Sequence, residues 1–260
     1  MNGYCRTVRI STASPLIVAY NDANMRREQT ANLVNTHLSF TVVTALDFNI
    51  ENSEVSIEEF MEDTADRLLQ SLPSPERLSA SLARGIIARY TVVLEANFIY
   101  WMTGAYLAAK SEDSRSIILD NLREEVRDCH PAMLRRFAVA ARALPNDADA
   151  LAVSRELTNV RLFVAGLSGP KVILMMTFFE GFIQRFMPYL EELAALRGSS
   201  EKEYTQVHSE CDIEHTQGLL KALYIELALD PPASAADLFE GVELLKTLIE
   251  CIVDTERHRE

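Results

Sequence analysis

From Ser56 onward, apolar residues recur at helical spacing between short polar breaks, so the pattern predicts a succession of helices. Ser56 with Glu58 and Glu59 marks the first start, and that pattern runs to about Ser71. Ser74-Pro75-Glu76 opens a second helix with proline in its first turn. It is expected to run, with a bend near Gly85, to Lys110, before a polar connection at 111–114. Further helices are predicted over 115–128 and from Pro131 to Leu144, followed by the turn Pro145-Asn146-Asp147. Four more follow over 148–165, 170–196, 201–229 and 234–255, separated by Gly- or Pro-containing breaks. No repeat or linker divides them, so residues 55–260 are expected to form one all-α domain of about eight helices. Residues 1–54 read differently. The stretches 8–10, 16–19 and 38–48 are β-branched and aromatic without a 3.6-residue period, which predicts an irregular lead-in with short strands or a short helix.

Composition sharpens this reading. Nearly half of the 260 residues are apolar, and only nine glycines and nine prolines are present, as expected of a helix-rich globular chain. A net charge of −13 argues against nucleic acid and anionic membranes, both of which require basic patches. Cys5, Cys129, Cys211 and Cys251 are widely spaced without a C-x-x-C pair, as in a reduced cytoplasmic protein. The longest apolar run, 172–183, is too short to cross a bilayer and contains Glu180. No charged-then-apolar leader is seen, so a soluble, cytoplasmic protein is expected.

The candidate chemistry lies among a few acids and histidines. His208, Asp212 and His215 form H-x-x-x-D-x-x-H inside a predicted helix. Offsets of 0, 4 and 7 residues fall within roughly 60° of arc on one helix face. Two imidazoles and a carboxylate stacked there can hold a metal, and mixed His/carboxylate sets suit non-haem iron better than structural zinc. A solvated polar face is the plain alternative. Glu180 stands inside Leu174-Met175-Met176-Thr177-Phe178-Phe179-Glu180-Gly181-Phe182-Ile183, a helix apolar on all sides. A carboxylate buried there must be paired or metal-bound. Glu95, in Glu95-Ala96-Asn97-Phe98-Ile99-Tyr100-Trp101, is the only acid between Glu76 and Glu112. It lies about as far from the 111–114 turn as Glu125, so antiparallel packing would bring the two level. Glu125 and His130 are five apart and cannot share a regular helix face. A residue before proline leaves the α region, so a break at His130-Pro131 can turn the imidazole back. Glu124 rivals Glu125, and Asp128 serves as a cap. The set Glu95, Glu125, His130, Glu180, His208, Asp212 and His215 is too large for one metal and suits two. His37 and His258 have no assigned task.

Taken in order, Asn121-Leu122-x-x-Glu125, His130-Pro131, Glu180 and the His208/Asp212/His215 motif resemble the haem-oxygenase-like di-iron oxidases and oxygenases. The resemblance covers about Ser56 to Thr255. It implies a bundle of about seven core helices, two Fe(II)/Fe(III) ions held from three or four of them, and O₂ as co-substrate. Glu95 resembles an extra carboxylate of the N-oxygenating branch that C–C-cleaving members often lack, whereas the Glu125–His130 spacing is shorter than in many relatives.

The leading expectation is therefore a di-iron N-oxygenase in secondary-metabolite biosynthesis. It would act on a nitrogen of a small amine or amino-acid-derived metabolite and draw on an external electron donor. Tyr90, Phe98, Trp101, Phe178 and Phe182 are candidate pocket aromatics, although core packing is their commoner use. Desaturation or C–C cleavage of an amino or fatty acid keeps the metals and changes the outcome. A metal-free cofactor-binding bundle is the further alternative, needing Cys129 or Cys211 as a nucleophile, or His37 as a haem ligand. Manganese in place of one iron and a homodimer are both compatible with the sequence.

Overall fold

A computed structural model describes residues 49–50, 53–54 and 56–255. Most of the expected lead-in, with its candidate strands, lies outside the described residues. What is described of it is a short ribbon in which Asn49–Ile50 (β1) pairs antiparallel with Ser53–Glu54 (β2). Eight helices follow: α1 (Ile57–Ser71), α2 (Ala80–Ala108), α3 (Glu112–Arg127), α4 (His130–Ala140), α5 (Asp147–Ala165), α6 (Gly169–Leu196), α7 (Glu203–Leu229) and α8 (Ala235–Val253). The protein is all-α, as the hydrophobic pattern predicts.

Local chemistry explains where these helices begin. Ser56 Oγ accepts from Glu59 N while the Glu59 carboxylate accepts from Ser56 N, a reciprocal cap on α1. Asn146 and Asp149 do the same for α5. Ser79, Ser111 and Ser234 supply single caps to α2, α3 and α8. One expectation is corrected at the second helix. Pro75–Arg77 form only a 3₁₀ turn, and the long helix starts after Ser79 and runs unbroken through Gly85. The fourth helix also stops at Ala140, short of Leu144, and Arg142 just beyond it takes a positive φ of 51°.

α6 is the central helix. It packs most extensively on α7, then on α2 and α8, while α3 lies against α7 and α5 spans α2 and α8. Eighteen of its residues are buried, so the all-round apolar run follows from burial on every side. Trp101, Phe137, Phe179 and Phe186 are among the largest wholly buried side chains. Charged ties hold the bundle at its ends. Arg89, almost fully buried, donates to the backbone carbonyls of Ile252 and Asp254, fixing the end of α8 on α2. Glu226 accepts from the amides of Lys110 and Ser111, which anchors the α2–α3 connection to α7. Among the described residues no disulfide contributes, and no helix is long and apolar enough to cross a membrane.

Candidate metal centre

Four helices send polar side chains into one region of this apolar core. α7 turns His208, Asp212 and His215 inward, all buried, as their shared helix face requires. α6 contributes Glu180, with no exposed surface. α3 contributes Asn121 and Glu125 from one face, four residues apart, both buried. The chain then reverses sharply. Cys129 adopts a left-handed conformation, φ 58° and ψ 42°, between the end of α3 and the first residue of α4, His130. This single αL residue, costly for a side chain other than glycine, aims the imidazole back across the break. His130 Nδ1 stands 2.8 Å from Glu125 Oε1.

Two separate three-residue groups result, Glu125, His130 and His208 in one and Glu180, Asp212 and His215 in the other, while His208, Cys211 and Asp212 form a third that shares a residue with each. Each residue of a group offers a ligand atom within 4.8 Å of the others. The groups adjoin. His208 Nδ1 lies 3.0 Å from Asp212 Oδ1, and the His130 and His208 rings meet edge to face at 4.7 Å between centroids. His215 Nδ1 is 3.8 Å from Glu180 Oε1 and 3.9 Å from Asp212 Oδ1.

Several of these atoms are buried without a hydrogen-bond partner among the described residues: Glu180 Oε2, His208 Nε2, Asp212 Oδ2 and His215 Nδ1. Burying one such atom is costly, and four in adjoining groups call for partners such as an ion or water. The carboxylate and imidazole donors are those that hold iron. The residues present therefore fit a metal.

The electrostatics agree. Burial raises the Glu125 carboxyl, despite its bond to His130, and raises Asp212 well above the usual range, with the nearby Glu180 adding to it. Burial opposes charge on His215, but Glu180 and Glu124 outweigh it and lift the ring to about 9. His130 is likewise opposed by burial and raised on balance by Glu125. His208 goes the other way, down to about 4 through burial, and is neutral at pH 7. Burial is the largest cause at both carboxyls, while the acids facing His130 and His215 favour charge on those two rings, an acid-rich setting suited to a cation.

Glu124 and Glu125 separate clearly. Glu125 is 2% exposed and faces His130. The half-exposed Glu124 reaches round the outside, its Oε2 accepting from His215 Nε2 at 2.9 Å. Asp128 pairs with Arg127 at the surface. Glu95 is not brought into either group: its Oε1 accepts from Arg135 Nη1 at 2.9 Å, and the carboxylate is partly exposed. His37 and His258 lie outside the described residues.

Some participants were not among the expected ligands. Asn121 donates from Nδ2 to Glu180 Oε1 at 3.0 Å, which leaves Oε2 free. Tyr204 packs its ring on His208, 4.5 Å between centroids, and hydrogen-bonds Tyr90. The half-buried Cys211 thiol lies 3.2 Å from Asp212 Oδ1. The i−4 spacing of Asn121 to Glu125 and of Tyr204 to His208 could have pointed to the first two. Of the candidate aromatics, Phe98 lines a cavity of about 20 Å³ beside Glu125, His130 and His208. Phe178 and Phe182 line a larger one of about 490 Å³, whereas Trp101 is core, packed on Phe179.

A helical bundle with a buried His/carboxylate constellation defines a metal-dependent protein of this fold class. A family described as iron-containing redox enzyme matches residues 87–248, from α2 into α8. The chain belongs to that haem-oxygenase-like family, and it is accordingly an iron-containing oxidoreductase. No curated protein and no solved structure matches it.

Proposed function

We propose that the protein is a non-haem di-iron, O₂-dependent N-oxygenase acting on a nitrogen of a small amino-acid-derived metabolite, in secondary-metabolite biosynthesis. The observation that carries the di-iron reading is the pair of adjoining groups, each with its own carboxylate and imidazole atoms and with buried atoms left unpartnered. Glu125, His130 and His208 would hold one ion, and Glu180, Asp212 and His215 the other. Iron bound there would supply O₂ activation, with electrons from an external donor. The net reaction takes one O₂, two electrons and two protons, places one oxygen on nitrogen and releases the other as water.

The chain's own residues prepare this chemistry. Neutral His208 keeps a lone pair available at Nε2. Asn121 holds one oxygen of Glu180 and directs the other inward. Glu124 orients His215 from outside by taking its Nε2–H, leaving Nδ1 for the metal. The Tyr90 and Tyr204 hydroxyls, both pushed upward by burial, stay protonated near the centre. The small cavity against Glu125, His130 and His208, walled by Leu94, Phe98, Leu134 and Ile183, has room for a diatomic molecule.

One observation favours a second reading. Glu95, the feature that tilts the resemblance toward N-oxygenation, is tied to Arg135 rather than turned to the groups. Desaturation or C–C cleavage of an amino or fatty acid needs no such ligand.

Anaerobic Fe(II) titration of the parent chain and of His215→Ala, followed by O₂ and product mass analysis, tests the proposal. Two ions per parent chain, loss of a site in the variant and a gain of oxygen on nitrogen are expected. Loss of hydrogen or a fragment would establish the second reading. An absence of bound iron in both proteins would overturn the ligand set and leave a metal-free bundle.

A further inference from the structure

The cavity of about 490 Å³ lined by Phe178 and Phe182 lies between α1, α6 and α7 and is in the range for a small metabolite. Its α6 wall includes Thr177, Gly181 and Gln184, which lie three residues before, one after and four after Glu180. Its α7 wall includes Thr216, next to His215 and one turn beyond Asp212. None of Glu180, Asp212 and His215 lines the cavity itself, but Thr177 and Gln184 share a helix face with Glu180, and Thr216 with Asp212, so the cavity lies beside that group. Thr216 Oγ1, on this wall, is buried and has no partner among the described residues. Gly181 faces it, so nothing bulkier than a hydrogen separates the two helices there.

The opposite wall is unusual. Glu58, Glu62 and Asp66 line the cavity from α1 at steps of four residues, a ridge of like charge along one helix face. Such a ridge weakens a helix unless cations meet it. The only basic group lining the cavity is Arg185, which pairs with Asp66. Tyr224 donates its hydroxyl to Glu58 at 2.6 Å, which adds no charge. Glu62 has no hydrogen-bond or ion-pair partner among the described residues. Met61, Phe178, Phe182 and Leu220 supply the apolar part of the lining, beside the polar Thr177, Gln184 and Thr216.

We infer that this cavity is the substrate chamber and that it takes a molecule with two basic nitrogens separated by an apolar stem. One nitrogen, protonated, is held by Glu58 and Glu62, and the other is presented to the Glu180/Asp212/His215 side. A protonated nitrogen has no lone pair and cannot accept oxygen, so the nitrogen read by α1 is not the one oxidised. The inference rests on the amine-directed reading above and supplies its substrate class.

Calorimetric titration of the full chain, metal-free and anaerobically loaded with Fe(II), tests it with hexane-1,6-diamine, hexylamine and hexanoate. The diamine is expected to bind about tenfold more tightly than hexylamine, and hexanoate not at all, since a second ammonium meets two part-exposed carboxylates. The double variant Glu58→Gln/Glu62→Gln should remove that advantage. Glu62→Gln alone, on an exposed side chain, keeps the test valid if the double variant folds poorly, and should remove part of the advantage. Equal affinities for the two amines, or a diamine affinity untouched by Glu62→Gln, would overturn the inference. Oxygen transfer to the diamine that ignores both substitutions would sink the chamber assignment alone. Binding that follows the carboxylates without any oxygen transfer would sink the oxygenase reading alone.

Discussion

His215 places its two ring nitrogens in different surroundings, and much of the centre's behaviour follows from that. Nε2 meets Glu124 near the surface, while Nδ1 is buried, unpartnered and turned toward Glu180 and Asp212. A carboxylate on the outer nitrogen fixes the ring and raises its basicity toward a metal. Glu124→Ala is therefore expected to weaken Fe(II) binding roughly 10- to 100-fold. Glu124→Gln, whose carbonyl still accepts from Nε2–H, should retain most of the affinity. Competition with a fluorescent chelator reads both, and an unchanged affinity in the alanine variant would show that Glu124 has no orienting role. The same ring predicts a pH dependence. His215 is raised to about 9, so below that pH an incoming ion must displace its proton. Fe(II) affinity should rise from pH 6 to about 9, with protons released on binding, and buffer-dependent calorimetric heats would measure them. His208, already neutral above about 4, should contribute nothing to this slope.

At the level of the helix, close approach decides what can change. Gly241 of α8 sits where an added Cβ would come 2.6 Å from Phe163 Cε1 and 2.9 Å from Met175 Cβ. The phenylalanine ring can give way, but Met175 Cβ is fixed to the α6 backbone. Alanine in a helix interior would otherwise gain up to about 1 kcal/mol over glycine. Here overpacking outweighs it, and Gly241→Ala should destabilise by roughly 1–3 kcal/mol, read from the urea midpoint. A midpoint shifted upward would mean that α8 moves freely on α5 and α6. The α3–α4 reversal is the other decisive element, because one αL residue, Cys129, converts a five-residue separation into a 2.8 Å contact.

Across the whole molecule, the polar centre is a fault in an otherwise apolar interior. Glu125, Glu180, Asp212 and their histidines come from four helices and meet beside α6, the most buried of the eight. Without a cation, the unpartnered atoms of Glu180, His208, Asp212 and His215 are a cost to the packing of α6 and α7. Binding to the folded state alone adds about 2.7 kcal/mol at a ligand concentration of a hundred times Kd. For a chain of this size that corresponds to a Tm increase of roughly 5–10 °C. Anaerobic scanning calorimetry with and without Fe(II) would detect it, and an unchanged Tm at saturating iron would mean that the ion does not bridge these helices.

The apolar spacing from Ser56 onward was enough to give the all-α class and eight helices close to their observed bounds, because burial of one helical face is a local, periodic demand. The inward face of α7 was equally legible, since residues 208, 212 and 215 share it on any regular helix. Other features depend on distances between segments far apart in the chain. Glu124 and Glu125 are indistinguishable as neighbours in sequence, and only the rotation of α3 against α7 buries one and turns the other to the outer edge of His215. Glu95 lies in as apolar a context as Glu180, yet α4 sets Arg135 beside it, whereas α6 is enclosed on all sides. Periodicity specifies which side of a helix faces the core; which partner waits there is decided by how the helices pack.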